Sequence, residues 1–265
     1  FPPGKNDLKI ALKVLSNLVK GHAAAYKAIH EVQSEAKVGV AHHWRGFLPA
    51  NGNPLTHYVT NLFNKVFNEA FPQALVTGKF DAVFLKEDIP QARNTQDFIG
   101  LNYYTRDLIR FDLGKRAEMF TQRSYPKGAE LSETGFLNND PEGFKACIKW
   151  GAQFGKPIYI TENGTEDSKD DFRRKYLLQH LHALWHMVNN NIPVKGYFHW
   201  SLVDNFEWER GWSQRFGLWG VDPATQLRTR RRSVDLYADI CRTNSITSET
   251  VRKYCPEIYE QIYPV

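Results

Sequence analysis

Apolar side chains along this chain follow two periods that succeed one another. Leu8, Ala11, Leu12, Leu15, Leu18, Val19, Ala25, Ile29 and Val32 recur at helical spacing behind a capping residue, Asn6 or Asp7, and predict one long helix, bent near Gly21. Val38-Gly39-Val40-Ala41-His42 is a short apolar run of buried-strand type, and the stretch 44–54, rich in Gly, Pro and Asn, reads as a loop. Tyr58, Val59, Leu62, Phe63, Val66, Phe67 and Ala70 mark a helical stripe across residues 56–71. Residues 97–104 are apolar and aromatic without an amphipathic period, as expected of a strand covered on both faces of a parallel sheet. From there to residue 139 the pattern predicts an irregular insert.

The alternation then resumes. Asp140 caps a helix that has Pro141 at its first position and runs to Phe154. A strand over residues 157–161 leads into Glu162-Asn163-Gly164, a helix over 171–189 carries Tyr176, Leu177, His180, Leu181, Leu184, Trp185 and Val188 on one stripe, and a fourth strand spans 194–200. Repeated strand and helix with short connections before each strand predicts an α/β fold with a parallel sheet, in a single domain over 1–265. Ligands of such sheets bind beyond the C-terminal strand ends. His42, His43, Asn102, Tyr104, Glu162 and Trp200 all fall there.

Charge and composition remove several function classes. The 34 basic and 29 acidic residues are spread along the chain, so the net charge of +5 does not make a nucleic-acid-binding stripe. The one dense basic cluster, residues 228–232, reads as a solvated loop before a helix over 233–241. Cys147, Cys241 and Cys255 are odd in number and widely spaced, which fits neither a disulfide framework nor a zinc site. His180, His182 and His186 are interleaved with Leu181, Leu184 and Trp185 and read as packing, so no metal and no other cofactor is expected. No apolar run approaches the roughly 20 residues of a membrane span. A soluble protein without a membrane partner is expected, with the cytoplasm favoured.

Taken alone, Glu162 beside Asn163-Gly164 is most simply a carboxylate in a turn. Its setting argues for more. A carboxylate at the mouth of a buried strand, with Trp200, Trp208 and Trp212 later in the chain, fits a saccharide site, because sugar faces stack on aromatic rings while carboxylates take the hydroxyls. Ile160-Thr161-Glu162-Asn163-Gly164 resembles the nucleophile motif of glycoside hydrolase family 1, the β-glucosidase family, and Trp200-Ser201-Leu202-Val203-Asp204-Asn205-Phe206-Glu207-Trp208 resembles its sugar-binding loop. Gln214-Arg215-Phe216-Gly217 and Val221-Asp222 continue the pattern in register, so the resemblance covers essentially the whole chain.

The resemblance implies the C-terminal half, strands five to eight, of a (β/α)8 TIM barrel, and a retaining β-glycosidase that removes terminal non-reducing β-D-glucosyl or related residues. Glu162 would attack the anomeric carbon, Tyr104 would donate to that carboxylate and keep it ionised, and Asn102 would lie close by. Glu207 would accept two sugar hydroxyls, Trp208 would donate from its indole, Trp200 would form the stacking floor and Phe216 would line the pocket. His42 and His43 match nothing in the pattern and read as loop structure or outer-site contacts. Relatives acting on phosphorylated sugars replace the Glu-Trp pair with small and basic residues, so the carboxylate of Glu207 favours a neutral β-glucoside or oligosaccharide substrate.

A retaining mechanism needs a second carboxyl roughly 5 Å from the nucleophile. The family's Asn-Glu-Pro motif for that group does not occur here. It is expected upstream of Phe1, because Phe1-Pro2-Pro3-Gly4 resembles the loop shortly after it. The expected partner is therefore an N-terminal half-barrel or a second half-barrel copy, the alternative being a chain that is one piece of a longer protein. Two rival functions stand beside the enzyme: a non-catalytic carbohydrate-binding half barrel, and an inactive truncated fragment.

Overall fold

The computed structural model describes residues 4–264. Phe1 to Pro3, on which most of the opening-loop motif falls, lie outside the described residues. Helix α1 (Leu8–Val32) is capped by Asp7, whose carboxylate accepts from the Ile10 N–H at 3.1 Å, and it runs through Gly21 without interruption. Strands β1 (Gly39–His43) and β2 (Gly46–Pro49) follow. A helical rod comes next, made of α2 (Pro54–Phe63), a π-helical turn (Asn64–Glu69) and α3 (Ala70–Thr77), and it ends on Gly78 in the left-handed region at φ +72°. A hairpin of β3 (Lys79–Asp81) and β4 (Lys86–Asp88) leads to β5 (Phe98–Asn102).

The segment after β5 forms β6 (Arg106–Phe111) and β7 (Thr121–Ser124) before α4 (Pro141–Ala152), whose cap Asp140 accepts from the Gly143 N–H at 2.9 Å. Then come β8 (Ile158–Asn163), α5 (Arg173–Asn189) and β9 (Val194–His199). A second hairpin, β10 (Trp219–Val221) with β11 (Arg228–Arg230), precedes α6 (Arg232–Thr243), α7 (Ser248–Tyr254) and α8 (Tyr259–Ile262).

Strands β1, β5, β8 and β9 make one sheet, adjacent in chain order and parallel throughout. Ile99, Leu101, Ile158 and Ile160 point to the helix side and pack, almost fully buried, on Phe144, Cys147 and Ile148 of α4 and on Ala183 and Met187 of α5. Each contributes ~1.5–3 kcal/mol by leaving water. A second core joins α1 to α3 and the first hairpin through Leu12, Val19, Leu75, Phe80 and Ile89, and a third joins α5 to α6 and α7 through Leu177, Leu181, Leu236 and Val251. The opposite sheet face carries Phe98 edge-on to Tyr159 at 5.2 Å, with Phe198 57% exposed. Among the described residues, β1 and β9 each have one neighbour and so present an unpaired edge.

Three expectations are corrected. The insert is not irregular: β6 pairs in parallel with β2 and antiparallel with β7, making a small sheet above the strand ends and drawing part of the predicted 44–54 loop into it. Its alternation is hidden in the sequence because an inward position is Asp107, buried by a two-bond ion pair with Arg45 at 2.7 and 2.8 Å. The cluster 228–232 is exposed as read, but it is not a loop, for it contains β11, and Arg231 alone folds inward onto Asp204. On α5, Tyr176, Leu177, His180 and Leu181 are buried as read, but Trp185 and Val188 face solvent at 56% and 46% exposure, because Ala183 and Met187 turn inward instead.

Candidate active site

Parallel strands in register bring their C-terminal ends to one level: His43 opposite Asn102, Asn102 opposite Glu162, and Asn163 opposite His199. The ladder shifts register between Leu101 and Asn102, and again in β8 between Ile160 and Asn163, so regular alternation stops where Glu162 stands. Asn163 is buried and locks this irregular end: its amide donates to Tyr103 O at 2.9 Å and the Tyr176 hydroxyl at 3.0 Å, and its Oδ1 accepts from the Tyr197 hydroxyl at 2.9 Å. Gly164 is required by close approach, since a Cβ there would sit 1.8 Å from Trp200 O.

Onto this platform the structure brings Glu162, Tyr104 and Asn102 together. The Tyr104 hydroxyl donates to Glu162 Oε2 at 2.6 Å, and Asn102 also hydrogen-bonds the carboxylate while its Oδ1 accepts from Thr161 Oγ1 at 2.5 Å. Burial pushes the Glu162 carboxyl above its ordinary pKa; the Tyr104 bond opposes this, the negative Glu207 adds to it, and Asn102 opposes it more weakly. Tyr104 therefore pulls in the direction read from the sequence, but burial outweighs it. The Tyr104 phenol is itself held well above its usual pKa, first by burial and then by the charge of Glu162, so it serves as a donor at all working pH values.

The loop after β9 supplies the remaining candidates. The Trp200–Ser201 peptide is cis. Trp200 Nε1 donates to Glu207 Oε1 at 3.4 Å, and the Asn205 amide donates to the same oxygen at 2.7 Å. Phe216 is buried with its ring edge-on to Tyr104, centroids 6.0 Å apart. Trp208 stands at the surface, 69% exposed, on a backbone with φ +50°. His43 lies edge-on to both Tyr104 and Phe67, at 6.0 and 5.4 Å, whereas His42 turns to the helix side and stacks on Trp150.

Several supporting residues carried no role in the sequence reading. Asp204 underpins the loop: it accepts from Arg231 Nη1 and Nη2 at 2.9 and 3.0 Å and from the Gly217 and Val221 N–H groups at 2.8 and 3.2 Å. Glu166, fully buried, accepts from the hydroxyls of Ser132 and Thr134 and so ties the insert to the loop after β8. Asn205 and Asp204 lie inside the W-S-L-V-D-N-F-E-W motif, which is the signal that marks them; Glu166 has none. Among the described residues no group of three or more His, Cys, Asp or Glu side chains is arranged to hold a metal, and no helix is long and apolar enough to cross a membrane.

Sheet order, helix cover and a polar site at the strand ends define an α/β fold that matches part of a (β/α)8 barrel. The glycosyl hydrolase family 1 profile matches residues 1–246, and the chain belongs to that family. Beta-glucosidase A of Thermotoga maritima is 32% identical over 92% of this chain and 59% of its own length, and a beta-galactosidase of Sulfolobus acidocaldarius is 31% identical over 94% and 51% respectively. Among solved structures, a beta-glycosidase from Pyrococcus horikoshii superposes with a TM-score of 0.86 at 33% identity, over 96% of this chain and 59% of the other. The Thermotoga maritima beta-glucosidase in complex with deoxynojirimycin gives a TM-score of 0.84 at 28% identity, over 93% and 60%. This chain thus spans between half and two thirds of the length of these relatives.

Proposed function

We propose that the chain carries the nucleophile and much of the sugar pocket of a retaining β-glycosidase acting on neutral, β-glucoside-type substrates. The observation that carries this reading is the 2.6 Å bond from Tyr104 to Glu162 at the strand ends, with Glu207 near enough to raise the Glu162 pKa. In this reading Glu162 attacks the anomeric carbon, expels the leaving group and forms a covalent glycosyl-enzyme that water then hydrolyses. Tyr104 and Asn102 fix the attacking oxygen. Glu207, held by Asn205 and Trp200, accepts sugar hydroxyls; Trp200 and Trp208 offer ring faces or indole N–H groups, and Phe216 backs the pocket. The relatives' names, beta-glucosidase and beta-galactosidase, support this substrate class.

We further infer that the four parallel strands are strands five to eight of the barrel, within one domain over 1–265, and that the acid/base carboxyl comes from the other half. The exposed Phe198 face and the two edge strands support it, because a closed barrel leaves neither.

A test follows from leaving-group chemistry. An activated aryl 2-deoxy-2-fluoro-β-glucoside departs without a general acid, so it probes Glu162 independently of any second carboxyl. Peptide mass spectrometry is expected to find the fluoroglucosyl adduct on Glu162. An adduct on another carboxylate, or turnover of the unfluorinated aryl glucoside by Glu162→Ala at the wild-type rate, would overturn the assignment.

A further inference from the structure

Away from the strand ends, a cavity of about 470 Å³ opens on the helix layer between the π-helical turn and α4, lined by Trp44, Asn61, Asn64, Lys65, Asn68, Glu69 and Trp150. It lies across the sheet from the candidate active site: Trp44 packs in the core of Ile99 and Leu101, whereas Asn102 and Thr161 pair on the other face. We propose that this cavity is a second binding site for a neutral saccharide, distinct from the catalytic pocket and independent of the reading given above.

Four observations converge on that ligand class. The two indoles stand 6.2 Å apart, inclined at 41°, and Trp150 is stacked on His42 at 5.4 Å, so the aromatic walls are fixed before any ligand arrives. Neither indole N–H has a hydrogen-bond acceptor among the described residues, and the side chains of Asn61 and Glu69 have no hydrogen-bond partner there, which leaves donors and acceptors for hydroxyl groups. Asn64 and Asn68, by contrast, are committed to the backbone of Phe47 and Arg45 at 2.9 Å each, so they hold the wall rigid. The wall also departs from α-helical geometry at residues 64–69, as π turns do at many functional sites.

Charge then selects within polar ligands. Glu69 disfavours an anion, while the ammonium of Lys65 on the same wall, though paired with Asp81 at 3.0 Å, offsets the pull of Glu69 on a cation. An uncharged, hydroxyl-rich molecule with a C–H face for the indoles satisfies both, and glucosyl oligomers have that form.

Cellotetraose is the probe. In ¹⁵N-labelled protein carrying Trp200→Ala and Glu207→Ala to weaken the strand-end pocket, the indole resonances of Trp44 and Trp150 are expected to shift saturably, with a dissociation constant in the millimolar range. Loss of one hydrogen bond in Asn61→Ala is expected to weaken that binding ~5-fold. Trp150→Phe keeps an aromatic ring but removes the N–H and checks the result should Asn61→Ala be neutral. Unmoved indole resonances at saturating cellotetraose, shifts that disappear with the Trp200 and Glu207 substitutions, or unchanged affinity in both Asn61→Ala and Trp150→Phe would each overturn the proposal. Labelling of Glu162 by the fluoroglucoside is read separately, so failure here is distinguishable from failure of the catalytic assignment.

Discussion

Tyr104, two residues beyond the end of β5, donates its hydroxyl to Glu162 at the end of β8 across 2.6 Å, so one hydrogen bond joins two neighbouring strands at the point where their ladder breaks register. The bond favours the ionised carboxylate, against burial and against Glu207. Tyr104→Phe is therefore expected to raise the Glu162 pKa further and move the acidic limb of the kcat/KM profile to higher pH. Loss of a charge-assisted bond of ~1.5–3 kcal/mol corresponds to a rate loss of about 10- to 100-fold. An acidic limb that stays in place or moves down would contradict this account.

Asp204 and Arg231 test the floor of the pocket loop. Their side chains are 1% and 10% exposed and joined by two bonds, and the carboxylate serves two backbone amides as well. Asp204→Asn leaves a buried guanidinium without its counter-charge and is expected to cost ~3–5 kcal/mol. Arg228→Ala, on the exposed strand of the same basic cluster, is expected to stay within about 0.5 kcal/mol. Guanidinium unfolding midpoints compare the two, and equal losses would show that burial of the pair is unimportant.

Glu166 gives a prediction about the insert. Besides the hydroxyls it accepts, its partner Ser132 accepts the Leu137 N–H at 2.9 Å, so the carboxylate is the root of a short network. Glu166→Ala strands the buried Ser132 hydroxyl, at about 1–3 kcal/mol, whereas Thr134 is exposed and turns to water. Hydrogen exchange is expected to speed up at the amides of Leu137 and Asn138 and to remain unchanged in α1. Unaltered exchange at Leu137 would show that other contacts hold the insert.

His180 makes stability depend on pH. Its ring lies on Tyr176 at 3.8 Å, fully buried, and burial pushes its pKa from 6.5 down to about 4 despite a hydrogen bond to Tyr176 O. The unfolded chain takes up a proton near 6.5 that the folded protein refuses until about 4. This histidine thus costs nothing above pH 6.5 and lowers stability by up to ~1.4 kcal/mol per pH unit as pH falls through the window between the two values. Urea midpoints from neutral pH downward should show a shallower decline in His180→Gln, and parallel curves would refute the assignment.

Much of this molecule was legible before any coordinates. The period of apolar positions placed all four strands of the parallel sheet, because each reads as a short, mainly apolar run without helical period, and the residues that end those runs are the ones that meet at the site. Local chemistry also placed the cap Asp140 and narrowed the first to Asn6 or Asp7, of which the structure uses Asp7. What the pattern misread were charged residues that burial had neutralised. Asp107 with Arg45 disguised a strand, and Asp204 draws Arg231 inward from an otherwise exposed basic cluster, since a single charge at a sequence position signals water unless its partner is known. Those partners are 62 and 27 residues away.

The sequence by itself therefore determined the four strands of the parallel sheet and the helices between them, their order, and which motif surrounds Glu162. Only the tertiary structure decided how closely Tyr104 approaches that carboxylate, that Asn205 and Trp200 hold Glu207, and that Glu166 anchors the insert. Periodicity is set by each residue's neighbours along the chain, whereas a hydrogen bond of 2.6 Å between strands depends on register, and register is fixed only when the sheet and its helix cover pack together.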